Sequence, residues 1–149
     1  MKPSTALFAS VVGCAGMIVL AIVAVVGLFF LARAGMDAKT PAIAEALQED
    51  FDFRLASTAI PEERVEIMTS LVDLATDEDI SYTMIIMCSK AYRVGVEPQS
   101  GMTDEERYAI VQAVVEFVSE DPGAGFIAMG MFMVQHPSYE DIFANLDKL

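Results

Sequence analysis

The chain has 149 residues and sets 22 acidic side chains against nine basic ones, which disfavours nucleic acid and anionic lipid headgroups as partners because both draw on Lys and Arg. From Met36 onward the imbalance deepens to a net −15, and a basic protein surface is the complement that such a charge suits. About 114 residues remain after the first 35, enough for one domain with its own core, and two cysteines as far apart as Cys14 and Cys88 imply no disulfide framework.

Residues 6–32 contain no charged side chain over 27 positions. At about 1.5 Å rise per residue this run exceeds the roughly 30 Å of a bilayer's hydrocarbon core, so it is expected to span as a single transmembrane helix, with residues 1–35 as the anchor. Two rivals are weaker. A cleaved signal peptide is suggested by Lys2 and by the small-x-small Ala32-Arg33-Ala34, but its apolar region is usually only about 7–15 residues long. A lipoprotein box at Val11-Val12-Gly13-Cys14 would leave a second apolar run directly behind the lipid. The short tail before a long apolar run favours an uncleaved anchor with the domain on the extracytoplasmic side. Ala9, Gly13 and Gly16 concentrate small residues in the first half of the helix, and such a face lets another membrane helix approach closely.

Residues 36–40 read as a short linker, with Thr40 and Pro41 as cap and first residue of a new helix opening a domain over 41–149. Ile43, Leu47, Phe51 and Leu55 recur every four residues as its apolar stripe. Pro61 breaks that helix and starts a second, Glu62 to Ala75, with Val65, Met68, Leu71, Val72 and Ala75 on one side. A polar junction at Thr76 to Asp79 leads into a third helix from Asp79 to Val94, which Gly95 is expected to stop. Thr103 and Glu106 form a capping box that opens a fourth helix running to about Ser119. Asp121-Pro122-Gly123 turns the chain into a fifth, Ala124 to Gln135, which is uncharged and reads as a helix covered on every side. Ser138 and Asp141 cap a sixth through Phe143 and Leu146. No segment alternates with period two, so the fold expected is all-α: a transmembrane helix followed by a compact bundle of about six helices.

Laid over each other at an offset of 43 residues, the second and fourth helices share Glu62, Glu63, Arg64, Ile67 and Val72 with Glu105, Glu106, Arg107, Ile110 and Val115. Each copy reads as one αα-hairpin, Glu62 to Val94 and Glu105 to Gln135, at a spacing in the range of HEAT-type repeats.

Motifs for hydrolytic, nucleotide, redox and calcium sites are missing, and no cofactor is implied. His136, Ser138 and Asp141 crowd into one helix start, where capping explains them better than a catalytic triad. Met84 with Cys88 and Met129 with Met133 stand four apart, so each pair shares a helix face and offers soft ligands for Cu(I); Met as an adaptable core filler is the stronger explanation. The apolar fifth helix, with Phe126, Met129, Phe132 and Met133, is the other candidate contact surface.

The sequence therefore points to a non-enzymatic, single-pass accessory or assembly subunit of a larger membrane complex. It would act through helix packing in the bilayer and through protein contacts of its acidic domain, with an integral membrane protein or a second copy as partner. The alternative is a membrane-anchored binder of Cu(I) or a small ligand through the Met and Cys helices.

Overall fold

In the computed structural model the described residues are 3–137, with side-chain surroundings from residue 13 onward. They are all-helical, without strands: α1 (Pro3–Ala56), a single 3-10 turn at Glu62–Arg64, α2 (Val65–Ala75), α3 (Tyr82–Val96), α4 (Asp104–Glu120) and α5 (Phe126–Gln135). The sixth helix expected from Ser138 lies outside the described residues. The chain divides into two compact units, 1–38 and 39–149.

The first unit is helical throughout its described residues, and from Gly13 to Leu31 its large apolar side chains stand exposed, Leu20 and Phe29 among them. It is long and apolar enough to cross a membrane, a length and composition that a signal sequence shares. Residues 36–40, read from sequence as a linker, are helical, and Pro41 lies inside α1 instead of at a helix start. The physical reason is composition: Ala34, Met36, Ala38, Lys39 and Ala42 are all good helix formers, which outweighs the one hydrogen bond that Pro41 removes.

In the second unit the core gathers around α3. Met84, Ile85, Met87, Cys88, Ala91 and Val94 are almost completely enclosed. Against them pack Met68, Leu71, Val72 and Ala75 of α2, and Ile110, Val111, Val114 and Val118 of α4. From α1 only Leu47 and Phe51 are buried, whereas Ile43 is partly covered and Leu55 is exposed, so the expected stripe is one turn too long. At the other end of the core Phe132 is 1% exposed and meets the Phe117 ring at 5.0 Å between centroids.

Two helix ends differ from expectation for identifiable reasons. α3 starts at Tyr82, not Asp79, because Ser81 is the cap: its hydroxyl accepts the Met84 N–H at 3.2 Å. The preceding acidic stretch is a turn in which Asp77 Oδ1 accepts the Asp79 N–H. Gly95 does not stop the helix, which continues to Val96. A Cβ there would lie 2.7 Å from Met68 Sδ and 3.2 Å from Val111 Cγ2, so the glycine lets α3 approach both neighbouring helices closely.

Arg107 closes that same end of α3. It is 8% exposed, its Nε donates to the Val94 carbonyl and its second terminal nitrogen to the Gly95 carbonyl, both at 2.9 Å. The remaining nitrogen donates to Asp104 Oδ1 at 2.8 Å. Helix-terminal carbonyls lack intrahelical partners, and a buried one left unpaired costs about 1–3 kcal/mol. Replacing Arg107 with Met is therefore expected to lower unfolding free energy by about 2–4 kcal/mol. Asp104→Ala, which loses only a partner open to solvent, should cost less than about 1 kcal/mol; denaturant titration of both variants compares the two.

Candidate functional site

Where α1 crosses α3, three polar side chains form a buried-edge cluster. Tyr92 O–H donates to Asp50 Oδ2 at 2.6 Å, and Arg54 Nε donates to the same oxygen at 2.7 Å. The Asp50–Arg54 spacing of one helical turn places both on one side of α1, and the phenol comes from 42 positions further along the chain. Partial burial works to raise the Asp50 pKa, but the hydrogen bonds from Tyr92 and Arg54 and the guanidinium charge together hold it below its ordinary value. Burial, followed by the bond to Asp50, pushes the Tyr92 phenol upward. The cluster fastens the last turns of α1 to α3 and offers no nucleophile or free acid.

Grooves open between the described helices of this unit. One, of about 610 Å³, lies beside the cluster between α1 and α3. Another, of about 510 Å³, lies between α2 and α4, where the Arg64 guanidinium stacks 4.6 Å from the centre of the Tyr108 ring and Glu63, Glu66 and Glu105 stand around it. Among the described residues no group of three or more His, Cys, Asp or Glu is placed to hold a metal ion.

The soft-ligand candidates are divided between environments. Met84 and Cys88 are fully enclosed in the core, and Met129 and Met133 pack against it half-buried. Burial pushes the Cys88 thiol up to about 12, which disfavours the thiolate form that binds soft metals. His136 stacks on Phe132 at 4.7 Å between ring centres; Ser138 and Asp141 lie outside the described residues.

Of the contact candidates on the fifth helix, Phe132 points into the core, Met129 and Met133 are half-buried, and Phe126 is 67% exposed. The open side of α5 instead carries Ile127, Met131 and Val134 beside Phe126, with Ile127 84% and Val134 81% exposed. The expectation of a helix covered on every side is thus corrected: one side docks on the core through Phe132 and the opposite side is bare. In the first unit, Gly13 and Gly16 are exposed and have no atom within 4 Å of the place a Cβ would occupy; Ala9 belongs to the same helix, and its side chain lies outside the described residues.

Sequence reasoning missed Tyr92 and Arg107 as organising groups. The Asp50–Arg54 spacing was a local signal, but nothing in the sequence joins Asp50 to Tyr92. No protein-family model, curated protein or solved structure matches this chain. What fold and surfaces define, among the described residues, is an all-helical protein with one helix long and apolar enough for a membrane span or a signal sequence, and with exposed apolar and small-residue faces.

Two measurements read these environments. Because Asp50 has a lowered pKa, its contribution to stability is present above its ordinary value of 3.8 and is lost as the pH falls below it. Asp50→Asn should therefore lower the urea midpoint at neutral pH and converge with the parent in strong acid; an equal difference at both ends would contradict the assignment. Cys88, examined in a Cys14→Ser background, should resist maleimide at mildly alkaline pH until the chain is unfolded.

Proposed function

We propose that this chain is a non-enzymatic, single-pass membrane-anchored accessory or assembly subunit. It works by contact, through its membrane helix and through the faces its helical unit leaves uncovered. The observation that carries this reading is the bare side of α5: four large apolar side chains on a helix without any charge, in a unit that has an enclosed core available elsewhere. Contiguous apolar surface of this kind marks a place of association more often than chance exposure. The uncovered Gly13 and Gly16 add a second surface of the small-residue type used between membrane helices. An integral membrane protein is the partner that fits both.

The two-hairpin description belongs to the same proposal. Glu62 to Val94 and Glu105 to Gln135 would be copies of one αα-hairpin, with the residues after Gln135 adding a further helix to make about six. In support, the 3-10 turn and α2 together span 62–75, and the same stretch 43 positions on falls within α4. Ser81, which caps α3, also donates its hydroxyl to the Ala124 carbonyl at 2.7 Å, a pair likewise separated by 43. The copies differ in what covers them: Met84 and Cys88 are enclosed, while Ile127 and Met131 at the matching positions are exposed.

Extracted in mild detergent, the full-length chain should migrate with one stoichiometric membrane protein. Pairing Gly13→Leu with Gly16→Leu should leave it in the membrane yet reduce partner recovery roughly tenfold, a loss of about 1.4 kcal/mol. Ile127→Ser with Val134→Ser should do the same without lowering the thermal midpoint, since neither side chain is in the core. A monomer that copurifies with nothing would contradict the proposal.

A further inference from the structure

The exposed side of α5 carries Phe126, Ile127, Met131 and Val134, with Gly130 exposed among them, and the helix has no charged residue. The chain as a whole stands at net −13. Two copies of so acidic a protein repel each other wherever their carboxylates meet, as the groove between α2 and α4 would with Glu63, Glu66 and Glu105 around Arg64. The open side of α5 escapes that penalty, because laid on its own image it sets no like charges opposite one another. A strongly charged partner fits less well, since its ions would lose water against this side without gaining a counter-ion.

Size and shape suit such a contact. All four large side chains are more than half exposed. Together they offer roughly 500 Å² of apolar surface, comparable to the about 300–600 Å² of the largest patch on a typical monomer, which is often functional. Paired with a copy of itself, this side would bury about 1,000 Å² in all, the lower bound for a specific interface. Two chains held in one bilayer need no more than that, because shared confinement raises the effective concentration of one for the other. Gly130 stands one turn from both Phe126 and Val134, and nothing lies within 4 Å of the place its Cβ would occupy. Two α5 helices can therefore cross closely at that point, with the larger side chains packing on either side in the two-fold arrangement of an isologous contact.

We propose that α5 pairs with α5 of a second copy of this chain through Phe126, Ile127, Met131 and Val134, the two helices crossing at Gly130. The proposal rests on the membrane-anchored accessory reading and identifies what meets α5: another such chain, itself a membrane protein. The subunit then enters its complex as a pair that presents two membrane helices. The lower partner recovery expected of Ile127→Ser with Val134→Ser follows from losing one of those two attachments.

The test uses the full-length chain in intact membranes with Cys14→Ser and Met131→Cys, which leaves the enclosed Cys88 and one new thiol on the exposed side of α5. A short bis-maleimide should give a species of twice the chain's mass, in which mass spectrometry finds position 131 joined to position 131. In the same background Gln112→Cys, exposed on α4 in the groove of Glu63, Glu66 and Glu105, should give none. Ile127→Asp with Val134→Asp, added to Met131→Cys, should cut the yield at least roughly tenfold by setting like charges face to face, while circular dichroism and thermal midpoint stay unchanged. A link to a different protein, equal yield from position 112, a yield indifferent to the aspartates, or no product would each overturn the pairing. If the pairing fails while a different membrane protein still copurifies in detergent, the accessory reading survives. If nothing copurifies, both fall.

Discussion

The Arg107 guanidinium joins two requirements that would otherwise conflict. α3 must be buried on nearly all sides to serve as the centre of the unit, yet the end of a buried helix presents carbonyls that no water reaches. A single side chain from the start of α4 donates to the carbonyls of Val94 and Gly95 while keeping its third nitrogen on Asp104 at the surface. The cost of burying the charge is offset by three hydrogen bonds, and the contact fixes how far α4 can slide along α3. Gly95 is part of the same solution, because the close approach that brings Arg107 within reach also brings Met68 and Val111 to the α3 backbone.

From this centre the outer elements follow. The end of α1 is fastened by Leu47 and Phe51 on the apolar side and by the Asp50–Tyr92 bond on the polar side. α5 is attached more sparingly, by Phe132 against Phe117 and by the bonds of Ser81 to the turn before it. α3 is thus covered from several sides, and α5 keeps an exposed flank. The proposed function draws on what the core does not use: the exposed flank of α5 and the small residues of the first unit.

Local signals in the sequence were read well where one residue type has one physical use. The capping box of Thr103 and Glu106 forms as expected, with both reciprocal bonds in place. Of the apolar stripe of α2, Met68, Leu71, Val72 and Ala75 are buried, since a 3.6-residue period leaves one side to hide. Reading failed where a residue type has two uses. A glycine near a helix end signals termination or close approach, and at Gly95 only the neighbouring helices decide. Thr76, in the polar junction expected to lead into α3, instead closes α2, and Ser81, whose hydroxyl accepts the Met84 N–H, starts α3. For α5 the sequence has apolar residues on every side, so the buried side is chosen by Phe117 and the core, not by any pattern in the helix. Tyr92 and Arg107 act on groups distant in the fold, beyond the reach of periodicity.

The claim beneath all of this is that the apolar run stays on the mature chain and holds the helical unit to a membrane. Intact-mass measurement of the protein recovered from alkaline-washed membranes tests it most directly. The account predicts a membrane-retained species whose mass includes residues 6–32. A soluble species beginning just after Ala34, as cleavage at Ala32-Arg33-Ala34 would leave, would contradict it.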